Sequence, residues 1–202
     1  PRGTSGEVLP FVRALGLLKD RVFALFTFVS FILAVVLAGY FVLTGPFLKA
    51  MHVEKIAAVM TYGQMSEMVL LLLLPLFLRR LGMKWTLMLG MAAWGLRYYL
   101  FSLGQPMALI YLAIILHGIC YDFFFVAAYI YVDNKAAQEI RASAQAMFNL
   151  VVMGLGMFLG TLFFGWLSDY HSSGVGDSKV VAWEQVWRYP IIGAVIVLIL
   201  FG

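Results

Sequence analysis

Four ionisable side chains lie inside long apolar runs of this sequence: Glu67, Arg97, His117 and Asp122. A charge in the hydrocarbon core of a bilayer is costly, so such groups face a bundle interior or a wet cavity and mark solute, ion or proton pathways. Gln64 and Glu67 stand three residues apart, which on a helix puts them on one face with Met60 and Leu71. An amide beside a carboxylate can grip the hydroxyls and ring nitrogens of a polar solute. A structural ion pair between Glu67 and Arg97 is the competing reading, since neither charge is stable alone in the membrane core, and the two readings can coexist. His117, Tyr121 and Phe125 recur every four residues and predict an aromatic wall with a polar tip on one helix face. Packing of an aromatic-rich helix would use the same residues. Asp122 points about 100° away from Tyr121 and is expected to hold a neighbouring helix, through Arg97 or Asn149. Glu67, His117 and Asp122 can each take up and release a proton, as proton-coupled transport requires, and Glu67 is the first choice.

Positioning these groups takes membrane-spanning helices. Of 202 residues, 63% are hydrophobic and 12% charged, against ~25% charged in an average soluble domain. Hydropathy predicts an all-α membrane protein, a bundle of six spans: Val22 to Thr44, ending at Gly45 and Pro46, then Ile56 to Leu78, Trp85 to Leu103, Met107 to Val132, Ala142 to Leu167, and a last run from Tyr189 to Gly202. That run is shorter than the ~20 residues a span needs. With no signal peptide before the first span, the chain reads as a segment of a longer protein. Residues 1–21, where Val8, Leu9, Phe11, Val12, Leu15, Leu17 and Leu18 alternate with charges, are expected to form a linker with an interfacial helix, and 22–202 the bundle. In the fifth span, Gly154, Gly156, Gly160 and Gly165 thin one side for close helix contact. Gln145 and Asn149 are poised to hydrogen-bond across to a partner helix.

Charge sets orientation. With the N-terminus inside, nine cations (Arg2, Arg13, Lys19, Arg21, Arg79, Arg80, Lys84, Lys135, Arg141) lie on the cytoplasmic side and four (Lys49, Lys55, Lys179, Arg188) outside. Trp85 is expected in the inner interfacial belt, Trp183 and Trp187 in the outer one. The net charge of +4 is a topology signal, not a nucleic-acid footprint. Cys120, a lone cysteine in an apolar run, reads as a small buried hydrophobe. Neither HExxH nor GxSxG occurs, which argues against an intramembrane enzyme. A passive scaffold has no use for four mid-bilayer ionisable groups. A secondary transporter remains.

Six spans with a basic loop, RRLGMK at Arg79 to Lys84, resemble the C-terminal half of a major facilitator superfamily transporter, although Arg79 stands where that loop motif has Asp. The blocks QMSE at Gln64 to Glu67, LRYYLFS at Leu96 to Ser102, HGICYDFFFVAAYIYVD at His117 to Asp133 and RASAQAMF at Arg141 to Phe148 resemble the nucleoside:proton symporter family. The resemblance implies proton-coupled nucleoside uptake by alternating access across the bacterial cytoplasmic membrane. Gln64, Glu67, Tyr121 and Phe125 would contact substrate, the proton would be the coupling ion with no other cofactor, and an N-terminal six-helix half would form the other wall. One departure is that the first span lacks the amide side chains of the family's nucleoside permeases and offers hydroxyl groups such as Ser30, Tyr40 and Thr44 instead. Another small polar solute, such as a sugar, is the alternative cargo.

Overall fold

A computed structural model describes residues 10–174 and 180–202. Arg2, Val8, Leu9, Lys179 and the loop residues Gly176, Asp177 and Ser178 therefore lie outside the described residues. The chain is helical: α1 (Pro10–Leu15), α2 (Arg21–Ala50), α3 (residues 56–81), α4 (residues 83–103), α5 (Met107–Lys135), α6 (Gln138–Tyr170) and α7 (Trp183–Phe201). Short strands β1 (Ser172–Ser173) and β2 (Val180–Val181) pair antiparallel between α6 and α7. Helices α2 to α7 supply six membrane crossings.

The reversal between α3 and α4 rests on one residue. Gly82 alone leaves helical geometry between Ile56 and Leu103, at φ +75°, where a side chain would strain the backbone. Gly63 of α3 and Arg97 of α4 both meet His117 of α5. In a straight helix those 34 positions would separate them by about 50 Å. The chain therefore doubles back at Gly82, and the second span runs on through Arg79 and Arg80 to this joint.

Two span ends differ from the hydropathy reading. Helix α2 does not stop at Gly45 and Pro46 but carries Pro46 within it to Ala50. Where water cannot compete for backbone groups, a proline interrupts a helix less than it does in solution. Helix α7 begins at Trp183 and has 19 residues, enough to cross. Its first turns hold Glu184, Gln185 and Arg188, whose polarity hid it; Glu184 and Arg188 pair one turn apart.

At the start of α2, the Asp20 carboxylate accepts from the N–H of Val22 (2.9 Å) and of Phe23 (3.4 Å) and pairs with Lys135 at the end of α5 (2.6 Å). Lys135, then those two N–H groups, hold Asp20 below the usual carboxylate range. The contribution is present above the ordinary carboxylate pKa and is lost as pH falls through the lowered value.

Helix α2 is the central pillar, packing against α6 and α7, while α3 packs on α5. At the α2–α6 seam, a Cβ on Gly160 would stand 2.6 Å from Ala38 Cβ and 2.7 Å from the Val35 carbonyl, and one on Gly156 would stand 2.8 Å from Ala34 Cβ. A Cβ on Gly165 would meet nothing within 4 Å, and one on Gly154 would touch only its own helix. Two of the four glycines therefore make the seam, and the expectation for the other two fails because they turn away from α2. Gly160→Ala is expected to lower stability by about 1–3 kcal/mol through overpacking. Gly165→Ala should leave the thermal midpoint of the detergent-solubilised protein unchanged or slightly raised. Equal midpoints for the two variants would contradict this seam.

The aromatic belt also differs. Trp187 is fully buried, stacked on Tyr98 at 5.6 Å and edge-on to Phe47, and Trp183 is half-buried against Phe47. Trp85 is exposed as a belt residue must be, and Trp166 and Tyr170 are exposed as well. Indole rings near a span end fit belt and core equally well by sequence; the phase of α7 turns Trp187 inward.

Candidate functional site

The predicted residues gather where α3, α4 and α5 meet beside α2. Gly118 of α5 sits against the α3 backbone, where a Cβ would stand 2.7 Å from Ser66 O and Glu67 N. Its N–H donates to Ser66 Oγ at 3.0 Å, and that hydroxyl donates on to the Gly63 carbonyl at 2.8 Å. Two small residues and a short hydroxyl thus set the spacing of the two helices. This contact fixes where Glu67 and His117 stand relative to each other.

Arg97 of α4 is fully buried, and no carboxylate partners it among the described residues. Its Nη1 lies 2.9 Å from Nδ1 of His117. The guanidinium carbon sits 3.5 Å from the ring centre of Tyr40 on α2, with Trp94 and Phe101 at 5.4 and 5.8 Å. A desolvated cation over an aromatic face gains about 2 kcal/mol or more. Tyr40 also stacks on His117, at 5.0 Å between centroids. His117 Nε2 faces Glu67 Oε2 at 3.6 Å. The expected Glu67–Arg97 pair is therefore not direct: His117 stands between them.

Tyr40 was legible only as one of a few polar residues in the first span, and its place under Arg97 had no sequence signal. Its own hydroxyl is buried without a hydrogen-bond partner among the described residues. Tyr40→Phe should therefore keep stability, whereas Tyr40→Leu should cost about 2 kcal/mol in the unfolding of the solubilised protein. If Tyr40→Phe is as damaging as Tyr40→Leu, the hydroxyl and not the ring holds Arg97.

Gln64 is exposed and Glu67 is 32% exposed on the same side of α3. Tyr121, half-buried, packs between His117 (5.8 Å) and Phe125 (5.5 Å) with its ring tilted to both. Phe125 is fully buried, edge-on to Trp94 and Phe124, so it backs Tyr121 and does not face the open side. From Tyr121 to Val126 the helix widens into a π-turn, which shifts the four-residue phase on which the wall was predicted.

Asp122 is fully buried and neither carboxylate oxygen has a hydrogen-bond partner among the described residues. It holds neither Arg97, whose bond goes to His117, nor Asn149, which accepts from Tyr129 Oη at 2.6 Å. Gln145 Nε2 donates to the Tyr129 carbonyl at 2.8 Å, so Gln145 and Asn149 do bridge α6 to α5. A second π-turn, Leu150–Gly156, follows directly. Cys120 is buried, and its carbonyl accepts from Trp94 Nε1 at 2.9 Å.

A family model described as nucleoside H+ symporter matches residues 3–202. The chain is 35% identical over 211 positions to the putative nucleoside transporter YegT of Escherichia coli (strain K12), covering 96% of this chain and 48% of that protein. Against the nucleoside permease NupG of the same organism, identity is 34% over 146 positions, covering 70% and 34%. Xanthosine permease, also from that strain, is 35% identical over 133 positions, covering 63% and 31%. A crystal structure of a mutant of the nucleoside transporter NupG superposes with a TM-score of 0.85 at 26% identity, over 98% of this chain and 52% of that one. The chain spans about half the length, or less, of the relatives it matches.

Proposed function

This chain belongs to the nucleoside H+ symporter family and folds as one half of a major facilitator transporter, and from that premise we propose that the full protein takes up nucleosides by alternating access, driven by protons. The observation that carries this reading is the set Gln64, Glu67 and Tyr121, an amide, a carboxylate and an aromatic face brought to one open side of the bundle by the Gly118 crossing. Gln64 and Glu67 supply hydrogen bonds to a polar solute, Tyr121 stacks on its ring, and Phe125 stiffens Tyr121 from behind. Permeases among the relatives carry nucleoside and xanthosine in their names, which supports this cargo.

Glu67 is the coupling group in this reading. A carboxyl group alternately dried and wetted takes up and releases a proton, and Glu67 stands between a buried histidine and the open side. The remaining wall of the cavity comes from a matching six-helix half. The protein sits in the bacterial cytoplasmic membrane with the N-terminal end of this segment inside, as the distribution of Lys and Arg supports.

Uptake of labelled uridine by full-length protein in proteoliposomes tests the proposal. Saturable uptake stimulated by an acid-outside gradient is expected. No saturable uridine uptake, or uptake of a sugar instead, would overturn the nucleoside assignment.

A further inference from the structure

We propose that Arg97 is a positioning residue that locks His117 as a neutral imidazole with its proton on Nε2, so that His117 serves the site as a fixed donor and never as a proton carrier. The coupling role given to Glu67 above is the reading this deepens.

An arginine side chain has five N–H donors and no acceptor. With Nη1 of Arg97 2.9 Å from His117 Nδ1, the only hydrogen bond available is one in which Arg97 donates and Nδ1 accepts. A nitrogen that accepts carries no proton, so the single proton of the neutral ring is on Nε2. Adding a second proton would break this bond and set an imidazolium against a guanidinium with little screening, because both side chains are buried. The Nε2–H then faces Glu67 Oε2 across 3.6 Å, too long for a hydrogen bond in this conformation and short enough for attraction.

The other groups packed around the ring do not offset the guanidinium. From α2 comes the Tyr40 ring, stacked on the imidazole; from α5 come Tyr121, one turn on, and Cys120. Glu67 of α3 is the one acid that faces it among the described residues. It lies at the nitrogen that already holds the proton. Gly63 lets α3 come close to the base of this side chain, since a Cβ there would stand 3.2 Å from His117 Cβ. The ring is therefore held on its face by Tyr40 and on its Nδ1 edge by Arg97, and its Nε2 edge is turned toward Glu67.

Nitrogen NMR of ¹⁵N-histidine-labelled full-length protein in nanodiscs reads this directly. His117 should show an unprotonated Nδ1 and a protonated Nε2, unchanged between about pH 5 and 8, the range in which an ordinary histidine titrates. In Arg97→Gln the same signals should titrate. A wild-type His117 that gains a second proton in that range, or carries its proton on Nδ1, overturns the proposal. Should Arg97→Gln fail to fold, His117→Gln supplies the second arm. The glutamine amide can accept from Arg97 and donate toward Glu67 but cannot titrate. Uptake by His117→Gln should keep the wild-type pH profile with apparent affinity within about tenfold, whereas His117→Phe, which removes the donor, should lose about tenfold or more. A flattened pH profile in His117→Gln would make His117 the proton carrier and overturn the lock. The NMR measurement needs no transport, so failure of the nucleoside reading would leave it intact.

Discussion

Glu67→Gln is expected to abolish proton-driven accumulation while leaving facilitated exchange of the same solute in place. Each pH unit across the membrane is worth about 1.4 kcal/mol, so a carrier moving one proton per solute concentrates it about tenfold per unit. The glutamine variant has no group at position 67 to load, and its accumulation ratio should fall to about one. The change is close in shape, so Gln keeps an acceptor toward His117 Nε2, 3.6 Å from the native carboxylate. Counterflow exchange should survive with affinity reduced by about tenfold, the loss of one charge-assisted bond. The pH profile gives the sign: wild-type uptake should fall as external pH rises through the titration of Glu67, and the variant should be flat. Full accumulation by Glu67→Gln would move the coupling role to another group.

Gly118→Ala should cost the protein both stability and uptake. The new Cβ would lie 2.7 Å from Ser66 C, Ser66 O and Glu67 N, all backbone atoms of α3 that no rotamer change can clear. Helices α3 and α5 must separate, which breaks the 3.0 Å bond from the Gly118 N–H to Ser66 Oγ and carries Glu67 away from His117. Overpacking of this kind costs about 1–3 kcal/mol. Thermal unfolding should register that loss, and uptake should fall further than stability alone explains because the site is built on this contact. Ser66→Ala removes the hydrogen bond without adding bulk and should cost about 1 kcal/mol. A Gly118→Ala protein with native stability and uptake would show that the crossing does not position the site.

The parts of the fold set by a one-dimensional rule were readable in advance. Six apolar runs gave six crossings, because hydrocarbon thickness fixes helix length whatever the neighbours are. Gly82 lay in the predicted basic loop and proved to be its turning point. Properties that depend on a helix's rotation about its own axis were not readable. Trp187 and Trp85 look alike in sequence, yet one is buried and the other exposed. Gly160 and Gly165 share one glycine-rich run, yet α2 approaches only the first. The π-turn at Tyr121–Val126 hid the burial of Phe125 for the same reason, since it alters the angle per residue on which such phase arguments rest. Glu67, Arg97 and His117, picked out by their place in apolar runs, do come together, but their wiring was not readable. A direct Glu67–Arg97 pair was the simplest way to neutralise two charges, and it overlooked that aromatic faces can hold a guanidinium and that a histidine can stand between.

The surroundings of Arg97 bear on how the chain enters the membrane during synthesis. Tyr40, Trp94, Phe101 and His117, the groups that hold its guanidinium, all belong to α2, α4 and α5. None comes from α6 or α7. A nascent chain emerging from the ribosome therefore possesses these partners of Arg97 as soon as α5 has been inserted, while the last two helices are still being made.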